Sequence, residues 1–335
     1  MDLVTDFAQT LITQFQTPTL AFLIGGMLIS ASGSKLEIPD AIYRFIIFML
    51  LMKIGLKAGI EIREADFAAL LFPAAIAAGV GCLIVLIGRV TLAYLPNIKM
   101  DDAIATAGLF GAVSASTLAA AMIILEEKNI YFEAWVPALY PFMDIPALIL
   151  AIVLARINKQ RTDTKSNQKL GVRRIITDSL KGSAVSALLL GLAIGLFTVP
   201  DRVVDSFYEP LFRGLLSVLM LIMGMEAYTR LAELRRVAHW YAVYAVIAPI
   251  LHGTIAFGLG MVAHYVTGFS PGGVILLSVI AASSSDISGP PTLRAGIPSA
   301  NPSTFIGSST SIGTPIAIAV CIPLFIALAE IVFDI

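Results

Sequence analysis

The chain has 335 residues, of which 58% are hydrophobic and only 13% charged. Its mean hydropathy of +0.89 excludes a water-soluble globular domain of this size, in which about a quarter of the residues are charged. A formal net charge of −1 with a single basic cluster excludes nucleic acid as a partner, because phosphate binding needs Lys and Arg spread over a face.

Met1 to Gln16 carries Asp2 and Asp6 and no basic residue, unlike a cleaved secretory signal, which opens with a positive region. A hydrocarbon core roughly 30 Å thick needs about 20 apolar residues per helix. Apolar runs place spans at 18–33, 38–59, 67–95, 101–125 and 133–157, then at 175–199, 207–230, 240–266, 272–295 and 304–333. The expected fold is therefore all-α and polytopic, with ten transmembrane helices. Lys53, Lys57 and Glu226 are expected near span ends, where long side chains reach the headgroups. Trp135 and Trp240 open spans and suit an interfacial belt. Cys82 and Cys321 lie far apart in apolar runs and read as small buried hydrophobes. His239, His252 and His264 have no ligand-like spacing, so no cofactor and no metal other than sodium is expected.

Between the fifth and sixth spans, seven basic residues from Arg156 to Arg174 face one acid, Asp163. The positive-inside rule makes this loop, 158–174, cytoplasmic and puts both termini outside. Alternation then places Arg230, Arg235 and Arg236 inside as well. A register of 169 residues aligns Gly26 with Gly195, Gly55 with Gly224, Ala58 with Ala227, Ser114 with Ser283, Ser116 with Ser285 and Pro146 with Pro315. One register serving five helices reads as a repeat. Five helices per unit is an odd number, so the halves 1–157 and 175–335 would enter the membrane from opposite sides. Such inverted repeats are common in secondary transporters, with the site near the midplane.

The fourth span contains Ser114-Ala115-Ser116-Thr117 and the ninth contains Ser283-Ser284-Ser285-Asp286, followed by Gly289, Pro290 and Pro291. The proline pair is expected to break the ninth helix, and broken backbone at this depth must be buried or line a cavity. Half-helices starting at the two breaks would aim amide groups and positive dipole ends at a small anion. Hydroxyls of Ser114, Ser116, Thr117, Ser283, Ser284 and Ser285 would donate to its oxygens without adding fixed charge. Asp144 and Asp286 lie deep in apolar sequence with no Lys or Arg in their immediate stretches. An ionised carboxylate there must be paired, protonated or coordinating a cation. Sodium is the expected partner, with ligands from Asp286, Asp144, Ser116, Ser309 and Thr310 and from carbonyls freed before Pro146 and Pro315. Capping of a neighbouring helix is the competing role for Asp144. Together these features describe a sodium-coupled importer of a small inorganic anion. Sodium/proton antiport, organic-acid import and a membrane receptor for a soluble regulator remain open on residues alone.

The runs Gly111 to Thr117, Ala138 to Ala147, Leu219 to Ala227 and Ala281 to Pro302 closely resemble the sodium-dependent bicarbonate transporters of the cyanobacterial SbtA type. The resemblance implies a sodium/bicarbonate symporter of the plasma membrane serving inorganic carbon concentration. It implies ten helices in two inverted halves, a core domain moving against a gate domain in an elevator or rocking motion, two broken crossing helices and a homotrimer. It also implies a PII-like, adenine-nucleotide-binding regulator docking from the cytoplasm, for which Arg230, Arg235, Arg236 and Arg294 are the candidate contacts. Bicarbonate would lie on Ser114, Ala115, Ser116, Thr117, Ser283, Ser284 and Ser285. The central loop is shorter than in the family, which bears on any contact that needs a long loop.

Overall fold

The computed structural model describes residues 18–64, 67–162, 183–234, 239–286 and 289–335. The expectations for Met1 to Gln16, Arg235, Arg236 and most of the basic loop fall outside these residues. In chain order the helices are α1 (Pro18–Ala31), α2 (Asp40–Glu64), α3 (Phe67–Ala93), α4 (Met100–Gly111), α5 (Ala115–Glu127), α6 (Leu139–Thr162) and α7 (Ser183–Phe197). There follow α8 (Glu209–Leu234), α9 (His239–Thr267), α10 (Pro271–Ala282), α11 (Gly289–Gly296), α12 (Pro302–Ser308) and α13 (Ile322–Phe333). Among the described residues six helical stretches are long and apolar enough to cross a membrane: Leu70–Ala93, Met100–Glu127, Val136–Lys159, Asp201–Glu226, Trp240–Thr267 and Pro302–Phe333. Ala21–Ala31 and Pro271–Ala282 are shorter apolar helices. The helix α2 stands where another span was expected, but Arg44, Lys53, Lys57 and Glu61 interrupt its apolar sequence.

Prolines shape several of these helices. A proline ring clashes with the carbonyl four residues back, and three wide π segments lie where that carbonyl falls. Val204–Tyr208 precedes Pro210, Ser309–Gly313 precedes Pro315 and Ala317–Cys321 precedes Pro323. Widening to an i to i+5 bond, such as Thr314 N–H to the Ser309 carbonyl, clears the ring while keeping the backbone paired. The break expected before Pro315 is thus a π turn, and α6 runs through Pro146. The pair Pro290 and Pro291 opens α11 instead of ending a helix, since first-turn positions need no N–H donor; the interruption lies upstream of them.

Close helix pairing rests on glycine. The helix α1 packs on α8, and α2 packs on α7. A Cβ placed at Gly26 would strike the backbone of Leu221, and one at Gly224 the backbone of Leu23. Between α2 and α7, Gly59 and Gly195 meet back to back. Helices without a hydrophobic drive between them associate through such close approach. The other elements pack as a second group, with α3 against α4, α6 and α9, and α9 against α10. At the boundary, Trp135 is buried and stacks on Phe269 with centroids 5.7 Å apart, so it is a packing residue, whereas Trp240 is exposed, as an interfacial residue would be. Both cysteines are unpaired, with Cys321 buried.

Gly26→Val should separate α1 from α8 and cost about 1–3 kcal/mol, seen as a lower melting temperature in detergent. Gly25→Ala, which enters open space, should leave the melting temperature unchanged or raised.

Candidate functional site

Two interrupted helices cross at the centre of the fold. Between α4 and α5 the chain is extended at Ala112 to Ser114, and after α10 it is non-helical from Ser283 through Asp286. The sequence explains the first interruption by its cap: the Ser114 hydroxyl accepts the Thr117 N–H at 3.1 Å, which starts a new helix and ends the old one. The freed amides are taken up across the crossing. Val113 N–H donates to Asp144 Oδ1 at 3.0 Å, Ser114 N–H to Ser283 Oγ at 3.0 Å and Ser285 N–H to the Leu109 carbonyl at 2.9 Å. Gly289 N–H, opening α11, donates to Ser285 Oγ at 2.8 Å.

The Asp286 carboxylate lies on the N-terminal end of α5. Its Oδ2 accepts from Ser114 Oγ at 3.0 Å and from Ser116 Oγ at 2.5 Å, and the Ala115 N–H is directed at the same group. Thr117 donates its hydroxyl to Ser114 Oγ at 3.0 Å. The seat that sequence reasoning gave to a solute anion therefore holds the chain's own carboxylate, because α5 offers unspent amides and a positive dipole end to whichever anion is nearest. The second oxygen, Oδ1, is shielded from solvent with no hydrogen-bond partner among the described residues. A carboxylate gripped through one oxygen and bare at the other is a ready ligand for a cation.

The remaining expected residues divide. Ser284 Oγ and Ser309 Oγ share a hydrogen bond of 2.7 Å, so the tenth span does reach the crossing. Thr310 instead donates its hydroxyl to the Ile306 carbonyl at 2.7 Å. Its neighbours Ser311 and Thr314 are buried with hydroxyl oxygens that have no partner among the described residues, and residue 315, a proline, supplies no donor to the Ser311 carbonyl. Asp144, fully buried, meets the first break by accepting the Val113 N–H. Arg294 is exposed on α11 and Arg230 falls within α8.

Sequence reasoning missed one charged group. Lys53 does not reach a headgroup: it is only 1% exposed, pairs with Glu209 Oε2 at 3.1 Å and lies 3.8 Å above the Phe212 ring. The signal available was the i, i+4 pair of lysines in the otherwise apolar stretch from Phe45 to Ile60, which is costly in lipid unless partnered.

Long apolar helices around a buried polar crossing define a polytopic membrane protein. The chain belongs to the Na+-dependent bicarbonate transporter superfamily, whose profile matches residues 18–330. No curated protein gives a significant match to the chain.

Asp144→Asn, which keeps a carbonyl acceptor for Val113 N–H, should melt near the parent temperature. Asp144→Ala should lose about 1–3 kcal/mol by leaving that buried amide unpaired. Sodium activation that is unchanged in Asp144→Asn would assign the residue to the fold and not to the ion.

Proposed function

We propose that the chain is a sodium/bicarbonate symporter in which Asp286 couples the two ions. The observation that carries this reading is the Asp286 carboxylate seated on α5 through Oδ2 while Oδ1 has no hydrogen-bond partner among the described residues. The chain's own carboxylate occupies the start of α5. A sodium ion bound to Oδ1 would compete for the carboxylate's charge, loosen its hold on Ser114 and Ser116, and leave the amide end of α5 to an incoming anion. Bicarbonate suits the vacated donors: it accepts from hydroxyls and amides through its oxygens and carries a single charge, which the sodium balances. Mutual neutralisation lets both ions bind together and leave together, and neutral hydroxyl donors keep the binding weak enough for turnover.

The proposed frame is ten helices in two inverted halves, 1–157 and 175–335, joined by the cytoplasmic segment 158–174, with both termini outside. Its support is pairwise. Ser114 and Ser283, one register of 169 apart, are bonded to each other. By the same register α1 corresponds to α7 and α2 to α8, and the observed pairs α1 with α8 and α2 with α7 exchange into one another. Asp102 accepts the Asn301 N–H before α12, and Glu133 accepts the Ser270 N–H before α10, two clamps that differ from exact correspondence by one residue at each end. The family resemblance adds, within the same proposal, a location in the plasma membrane, a homotrimer, motion of a core domain against a gate domain, a role in carbon concentration and a PII-like regulator. The exposed Arg294 is a candidate for the regulator's contact.

Purified protein in liposomes should accumulate isotopic bicarbonate only with an inward sodium gradient, and choline should not replace sodium. Asp286→Asn should raise the sodium concentration for half-activation by about tenfold or more, the scale of a lost hydrogen bond or ligand contact to a charged group. Uptake indifferent to sodium in the parent would end the symport reading. Acidification on adding sodium alone would point to proton antiport.

A further inference from the structure

Two carboxylates bracket the crossing from a distance. Asp102 stands in the first turn of α4 and Glu133 in the connection that follows α5, so they lie beyond opposite ends of the central crossing. Asp102 Oδ1 accepts the Asn301 N–H at 2.7 Å. Glu133 accepts the Ser270 N–H at 2.8 Å through Oε1 and the Ser270 hydroxyl at 2.6 Å through Oε2.

Both partners are helix N-caps. Asn301 opens α12, its Oδ1 accepting the Ser303 N–H at 3.1 Å, and Ser270 opens α10, its Oγ accepting the Gly273 N–H at 2.9 Å. A cap residue's own amide is commonly satisfied by a Glu or Gln at the third position of the same helix. Here those positions hold Thr304 and Gly273, which have no side-chain carbonyl or carboxylate. The acceptor comes instead from an element more than a hundred residues away in the chain. An acid within the helix would cap it equally well; an acid on another element also fixes where the helix begins relative to that element. The surroundings of both caps are built for such fixing. A Cβ at Gly272 would strike the Tyr131 carbonyl, and Asp101, beside Asp102, accepts the Ser299 hydroxyl at 2.5 Å and the Asn158 side-chain amide at 3.2 Å.

What the caps fix is the crossing. The 12 residues of α10 make a rod about 18 Å long, which runs from Ser270 to Ser283, the partner of the Ser114 amide, with Asp286 three residues further on. From Asn301, α12 leads to Ser309, the partner of Ser284. A shift of either cap along its helix axis is therefore carried to the contacts around Asp286. We infer that Glu133 and Asp102 are positioning residues: by capping α10 and α12 from outside those helices, they set the register in which Asp286 meets the start of α5. The inference rests on the transport reading above for its effect on sodium, but its structural part can be read without transport.

The test replaces Cys82 and Cys321, the chain's only cysteines, by alanine, then adds Ser114→Cys and Ser283→Cys at the crossing. Mild oxidation should join the two new cysteines. Adding Glu133→Ala should slow the joining by about threefold or more, whereas Glu133→Gln, which keeps an acceptor for the Ser270 N–H, should join at close to the parent rate. Equal rates with and without Glu133→Ala would overturn the inference, as would a pair that cannot be joined in the parent. In the protein with native serines, Glu133→Ala and Asp102→Ala should each raise the sodium concentration for half-maximal bicarbonate uptake by about threefold or more, and Glu133→Gln and Asp102→Asn should restore it. A lower yield of folded protein with unchanged half-activation would reduce both acids to ordinary stabilising groups and sink the proposal. Should Glu133→Ala fail to fold, Glu133→Asp, which keeps the charge and shortens the reach by one methylene, should shift half-activation in the same direction; no shift would count against the role. Absence of any sodium-driven uptake in the parent bears on the symport reading, whereas the cysteine experiment judges the positioning by itself.

Discussion

Every backbone amide in the hydrocarbon region must find a partner within the protein, and the two interruptions at the centre of this fold meet that demand in part by supplying each other. The Ser114 amide is satisfied by a hydroxyl from the second interruption, and the Ser285 amide by a carbonyl from the first. Neither break is tolerable alone, since a buried unpaired amide costs about 1–3 kcal/mol. The crossing is therefore a mutual construction, and the surrounding helices hold it in register through glycine contacts too close for any side chain. Asp144 completes it by accepting the Val113 amide, a task that neither broken helix can perform for itself.

The same construction explains why the site is polar yet carries no fixed cation. Hydroxyls and amides at the start of α5 attract negative charge strongly enough to hold Asp286, but each contributes only a modest net free energy against water. An arginine in that position would bind a carboxylate in a fork and surrender it slowly. With hydroxyls, the difference between an internal carboxylate and a small external anion comes down to where the neighbouring positive charge sits. Under the proposed symport reading, the Asp286 oxygen that has no hydrogen-bond partner among the described residues makes that charge a matter of ion occupancy, which a gradient can set.

Much of this was legible in the sequence, and the exceptions have physical causes. Helix positions followed from apolar runs, and the location of both interruptions from serine-rich segments in otherwise apolar surroundings. Proline was the less reliable guide. Pro290 and Pro291 were expected to break the ninth helix; the break lies just before them and they begin α11, because a proline's missing donor is harmless in the first turn. Pro146 lies inside α6 and Pro315 behind a π turn, since a helix packed among others can widen or bend more cheaply than it can stop. The occupant of the anion seat was hidden because it depends on the three-dimensional crossing: residues 172 positions apart in the chain, Ser114 and Asp286, are bonded only once both breaks exist. Lys53 was misjudged for a related reason. Its partners, Glu209 and Phe212, lie on another helix, and nothing near it in sequence announces them.

In the proposed reading, function lies where the register of 169 residues fails to match. Ser114 and Ser283 correspond and bond, but Asp286 corresponds to Thr117 and Asp144 to Gly313. One acid lies on the start of α5 while its counterpart is a hydroxyl there; the other accepts an amide of the first break while its counterpart is a glycine packed on Phe110. Further from the centre, Lys57 corresponds to Glu226, so the two halves carry opposite charge at matching places. A frame with two equal halves can present its centre to either side of a membrane with similar energy, which alternating exposure requires. Two identical halves would also make two identical seats, each drawing anions and neither able to report a cation. The unmatched acids remove that degeneracy. In the proposed symporter they would leave a backbone symmetric enough to move and a charge pattern asymmetric enough to make one solute's binding depend on another's.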